Sequence, residues 1–246
     1  MLFLGVKKVT DKISIQQGHE KHSSTNILSD FILGSQDGLV NVLGIILGIS
    51  AATSDIRLIF VAGLAALGAE SISMGAVAYT STLARRKFYL KERERELTEM
   101  KNVPKTEKAE IENILKEWGY SGKELTIMTN KITSNPKAML EFMMSFELKL
   151  SPVSKHQPLR SFGIVLTATI LGSIIPLIPF FFISTIHTGA IVSLILSGAV
   201  LFGIGYYEAK KTVGSLWRNG LQMVIIGLLA GIAGYLIGYF VGAVPI

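Results

Sequence analysis

The sequence predicts an all-α membrane protein: five transmembrane helices, with a polar helical domain inserted between helices 2 and 3. Three observations predict it. Hydrophobic residues make up 49% of the 246 and mean hydropathy is +0.46, richer than a soluble domain requires. Five apolar stretches, about 31–52, 56–83, 161–184, 188–208 and 221–243, each approach the roughly 20 residues that cross a bilayer. Between the second and third lies a charged stretch, 85–158, punctuated by helix starts and stops.

Taken in order, residues 1–26 are a polar tail with no apolar core of a signal peptide before Ile27. Residues 27–84 hold helices 1 and 2, split only by Thr53, Ser54 and Asp55; Ser54 or Asp55 is the expected cap of helix 2. The segment ARRKFYLKERERELTEMK, 84–101, continues helix 2 without a break until Pro104. A second helix of the insertion is expected over 105–118, stopped by Gly119, and a third over 121–132. Asn135-Pro136 reads as a cap followed by proline at the first helical position, opening a fourth helix to about 150. Residues 159–246 hold helices 3–5, with Pro176 and Pro179 expected to kink or unwind helix 3.

Charge sets the orientation. With five alternating spans, the N-terminal tail, the insertion and the 209–219 loop share one side, and of 24 Lys and Arg residues only Arg57 lies opposite. The positive-inside rule therefore places tail and insertion in the cytoplasm and the C-terminus outside. The chain has no cysteine, which excludes disulfides and thiolate metal sites.

Two carboxylates stand inside apolar spans: Asp37 in FILGSQDGLVNVLGIILGIS and Glu70 in AALGAESISMGAVAYTS. A charge at the bilayer centre costs roughly 2.5–3.5 kcal/mol on insertion scales, so such a group is a functional candidate by default. Met74 follows Glu70 by four residues and shares its helix face. The plainer readings are an interfacial carboxylate for Asp37, an interhelical hydrogen bond for Glu70 and packing for Met74. Glycines four apart, Gly34-Gly38, Gly44-Gly48, Gly227-Gly231, Gly234-Gly238 and Gly238-Gly242, permit close helix approach, within one subunit or between two. Gly34 and Gly38 leave room beside Asp37 for a second helix, such as helix 1 of a dimer mate.

In the insertion, Glu96-Glu99 and Glu107-Glu110 are each three apart, so each pair shares a helix face, and the Pro104 turn lets the two helices lie side by side. Like charges so spaced destabilise a helix by a few tenths of a kcal/mol, which a bound cation would offset. Met143 and Met144 precede Glu147 by four and three residues. Mixed carboxylate and thioether ligands suit Fe2+ better than Mg2+ or Ca2+. Taken singly, the glutamate pairs also read as a solvated face interspersed with Arg93, Arg95 and Lys108, and the two methionines as helical core.

The ordered motifs SQDGLVN, AESISMG, ELTEMKNVPKTEKAEIENIL and FMMSFEL resemble the vacuolar iron transporter (CCC1-like) family, over nearly the whole chain from about Glu20. The resemblance implies a homodimer that moves Fe2+, and often Mn2+, out of the cytoplasm in exchange for protons. It implies that the insertion is a metal-binding domain with ligands Glu96, Glu99, Glu107, Glu110, Met143, Met144 and Glu147, and that Asp37 and Met74 line the membrane path. Where the family commonly has a Glu four residues after the Met, this chain has Ala78; Glu70, one turn before Met74, is the candidate replacement. His19, Glu20 and His22 resemble a polar stretch before helix 1 in relatives.

The expected function is thus a secondary transporter of divalent iron or manganese, with protons and membrane lipid as its other partners, no prosthetic group, no nucleic acid and no enzymatic activity. A ferritin-like di-iron oxidase would need Glu-x-x-His pairs on bundle helices, but the four histidines, His19, His22, His156 and His187, lie outside the insertion's predicted helices. A membrane-anchored metal sensor or storage scaffold is the alternative. The lack of a targeting segment favours a prokaryotic plasma membrane over a vacuolar one.

Overall fold

The computed structural model describes residues 23–242; His19, Glu20 and His22 fall outside them. Among the described residues all regular structure is helical. Five helical segments are long and apolar enough to cross a membrane: Ile27–Ala52, Ile56–Asn102, Gln157–Phe182, Ile186–Lys211 and Leu216–Gly242.

Helix α1 (Ser23–Ala52) is central, packing against every other span. Asp55 caps α2 (Ile56–Asn102), its carboxylate accepting from the Arg57 backbone N–H at 2.8 Å. At 47 residues, α2 is ~70 Å long, so its polar C-terminal part projects well past any bilayer. Helix α6 (Gln157–Ile174) tightens into a 3-10 turn at Ile175–Leu177 and restarts as α7 (Ile178–Phe182). This is the break expected from Pro176 and Pro179, which lack the N–H to continue the ladder. Ser193 of α8 (Ile186–Lys211) donates to the Pro176 carbonyl at 2.8 Å, satisfying backbone loosened by the break. Helix α9 (Leu216–Gly242) completes the set. Val42, Leu43, Ile46 and Leu47 of α1, Ile59, Leu177, Phe180, Ile186 and Ala190 form the buried core of the spans.

The glycines resolve the question of close approach. Gly44 and Gly48 of α1 face Ala230, Gly234 and Gly238 of α9, backbone against backbone. Gly34 and Gly38 face Val165, Ala168, Thr169 and Ser173 of α6. The helix that Gly34 and Gly38 admit is therefore α6 of the same chain. Lipid supplies no hydrophobic force between helices, so these contacts rest on close packing. A Cβ on Gly48 would lie 2.8 Å from the Gly234 carbonyl oxygen. Gly48→Ile should cost about 1–3 kcal/mol of overpacking or more and lower the thermal midpoint in detergent; an unchanged midpoint would refute this packing.

The insertion has its own core. Backbone N–H of Val103 closes α2 on Glu99 O (2.8 Å), and Pro104 opens α3 (Pro104–Glu117). Gly119 and Gly122 take positive φ, +93° and +55°, turning the chain into α4 (Gly122–Thr133). Asn135 caps α5 (Pro136–Phe142), accepting from Lys137 N and Ala138 N at 3.0 and 3.2 Å. The fourth helix departs from expectation at its end. It widens into a π turn, Met143–Glu147, closed by Leu148 N donating to Met143 O at 3.1 Å, and does not reach 150. Lys149 then takes φ +54° and leaves the helix. Ile111, Leu115, Met139, Phe142 and Met143 form the buried cluster, edged by Met100, Met128 and Ile132. In water each such side chain stabilises by roughly 1.5–3 kcal/mol.

Candidate metal centres

The structure gathers the insertion's candidate residues at one place. The reversal at Val103-Pro104 lays α3 beside the polar end of α2, and the π turn packs against both. Each i,i+3 pair splits by depth. Glu96 and Glu107 are buried, 1% and 3% exposed; Glu99 and Glu110 form the rim. Glu147 comes from the π turn. Glu96 Oε2, Glu107 Oε2 and Glu147 Oε2 are all buried without a hydrogen-bond partner. An unpaired buried carboxylate is expensive as an anion and answers by holding its proton. Burial, then the charges of Glu110, Glu96, Glu147 and Glu99, pushes Glu107 up to about 7. Burial, then Glu110 and Glu96, pushes Glu147 up to about 7 against the lowering effect of Arg95. Glu96 is raised chiefly by burial, a hydrogen bond from Arg95 opposing. As placed, no three His, Asp or Glu side chains among the described residues stand close enough to hold one ion.

The methionines differ from one another. Met143, 0% exposed, belongs to the apolar core of the insertion. Met144 is buried next to it. Both lie in the same π turn as Glu147.

The second group lies in the spans. Asp37, Asn41, Glu70, Ser73 and Met74 line an open recess of ≈ 500 Å³ between α1 and α2, floored by Ile45, Ala66 and Ala69. Asn41 was not among the expected residues and is its keystone: its side-chain amide donates to Glu70 Oε1 across the helix pair and to Asp37 Oδ1 at 3.4 Å. Met74 lies one turn from Glu70, half-buried on the same wall. Ala78 is buried, 8% exposed, and adds no polar group. Glu70 and Glu96 stand 26 residues apart on the same helix, ~39 Å at 1.5 Å per residue, so the two groups are separate.

A family model described as the VIT family matches residues 28–239. The chain belongs to the VIT family. Its relatives include vacuolar iron transporter 2 of Oryza sativa subsp. japonica, 34% identical over 225 residues, covering 91% of this chain and 92% of that one. Vacuolar iron transporter 1 of Tulipa gesneriana is 34% identical over 238 residues, 96% of each chain. Protein CCC1 of Saccharomyces cerevisiae is 29% identical over 212 residues, 83% of this chain and 66% of its own. VIT membership and five apolar spans make this a multi-pass membrane protein. The two plant relatives are named as transporters, not enzymes.

Asn41 and Arg95 stand among the candidate site residues in the structure, and sequence reasoning missed both. Asn41 carried a signal: it stands one turn after Asp37 on the same helix face. Arg95, read as part of a solvated face, pairs with Glu92, Glu96 and Glu99 at 3.3, 3.4 and 3.5 Å.

Proposed function

We propose that this VIT-family protein transports Fe2+, and Mn2+ as a second substrate, out of the cytoplasm in exchange for protons. The observation that carries the metal reading is the trio of buried, partnerless carboxylate oxygens on Glu96, Glu107 and Glu147. Three helical segments converge to place them, and a divalent cation drawn between them would supply the missing partner. Glu99, Glu110 and Met144 complete the ligand set from the rim and the π turn, with Met143 supporting from the core.

Proton exchange follows from the same chemistry. Ligands must be deprotonated to bind metal, so metal and protons compete. Glu107 and Glu147, titrating near 7, give up protons as metal arrives. In the spans, Asp37, Glu70 and Met74 offer two carboxylates and a thioether in one recess, joined by Asn41. The recess opens on the side of the chain, which suits closure by a second copy, and the insertion faces the cytoplasm with the basic span ends.

The test is uptake in proteoliposomes. Purified protein with an imposed pH gradient should accumulate Fe2+ inside, with matching proton movement reported by a trapped pH dye. Metal binding without uptake under any gradient would instead support a sensor or scaffold and overturn the transport reading.

A further inference from the structure

We propose that Arg95 is a tethered competitor for the acidic cluster: it neutralises the rim when no metal is bound and is displaced from Glu96 and Glu99 when a divalent ion enters. This rests on the metal reading of Glu96, Glu107 and Glu147 given above.

Three ion pairs place the guanidinium. Its Nη2 lies 3.3 Å from Glu92 Oε2 and 3.4 Å from Glu96 Oε1, and its Nε lies 3.5 Å from Glu99 Oε2. Two of the three partners belong to the proposed ligand set; Glu92 does not. The Glu96 carboxylate is therefore divided: Oε1 meets Arg95, while Oε2 points inward and has no partner. The Arg95 side chain is 49% exposed, against 2% for that of Glu96, so it stands at the mouth of the cluster. Lys108 of α3 is engaged elsewhere, donating to Asn130 Oδ1 at 2.9 Å. Among the described residues, the ion pairs at this cluster are all made by Arg95.

The consequence is a balance of charge. Without metal, crowded carboxylates repel, and one fixed cation at their rim relieves part of that. A divalent ion brings twice the charge to the inner oxygens and repels the guanidinium. Half-exposed ion pairs are weak, so Arg95 leaves easily, and Glu92 remains beside it as an anchor outside the ligand set. The arginine thus lowers affinity for the metal and speeds its release, a property of a site that hands an ion on.

The experiment uses full-length, metal-free protein in detergent, with Zn2+ as the probe. Calorimetry gives affinity, and trapping by an excess of chelator gives the release rate. Glu107→Gln, measured alongside, identifies the part of the binding that belongs to this cluster. Arg95→Gln should bind about tenfold more tightly, the scale of losing several exposed ion pairs, with release slowed by a similar factor. Arg95→Lys keeps the charge and should stay near the wild type. Unchanged or weaker affinity in Arg95→Gln would make Arg95 a brace of the helix surface and overturn the competitor role. Wild-type binding indifferent to Glu107→Gln would instead remove the metal reading, and this proposal with it.

Discussion

In metal-free protein, the double variant Glu107→Gln, Glu147→Gln should raise the thermal midpoint at pH 8 while collapsing metal binding. Both carboxyls titrate near 7 in the fold, above the ordinary 4.5. Between those two values the folded chain holds more protons than the unfolded chain, so metal-free stability falls as pH climbs from about 4.5 through about 7. Glutamine fixes the neutral form, keeps the shape and gives Glu96 and Glu110 a donor to accept from. The variant's midpoint should therefore vary less between pH 5 and pH 8 than the wild type's. Added metal should restore wild-type stability at pH 8 and do nothing for the variant. Affinity should follow depth. Replacing the rim ligands Glu99 and Glu110 by Gln should cost at least the roughly 10- to 100-fold typical of losing even an outer-shell partner, and replacing the buried pair Glu96 and Glu107 should cost more. A wild-type midpoint that rises from pH 5 to pH 8 without metal would contradict this account of the cluster.

Much of this arrangement was legible because it depends on local chemistry. Apolar length fixes spans, Asp55 and Asn135 cap where their side chains reach the next N–H groups, and Pro176 breaks a helix whatever surrounds it. The i,i+3 glutamate pairs also follow from helix period alone. What escaped needed the third dimension. Gly38 announces a close neighbour without saying which, and the neighbour is α6, 131 residues on at Thr169. The π turn at Met143–Glu147 packs against α2 and α3, a contact that the run MMSFE does not specify. Arg95 looked like one more surface charge because its role comes from what Glu96 lacks on its inner side. Asn41 became significant only when Glu70 arrived opposite it from another helix.

Asp37→Asn should abolish proton-driven metal uptake while leaving the fold and the insertion's metal binding intact. The substitution is nearly isosteric, and its carbonyl oxygen still accepts from Asn41, so the link to Glu70 survives. Gly38 next to it still meets Thr169, and the α1–α6 contact is untouched. The acidic cluster is ~39 Å away along α2 and should not register the change. What is lost is the ability to ionise. In wild type, one Asn41 amide serves two carboxylates, holding Asp37 and Glu70 on a single recess with Met74. On the proposed mechanism, a divalent ion entering that recess needs their negative charge to offset its own cost in an apolar span, and a proton returning to them completes the exchange. Asn41→Leu separates the two effects. It keeps both carboxylates but unties them, so uptake should slow while its pH dependence persists. Uptake in Asp37→Asn vesicles at the wild-type rate, with the same pH dependence, would reduce Asp37 to a structural residue and move the exchange elsewhere on the chain.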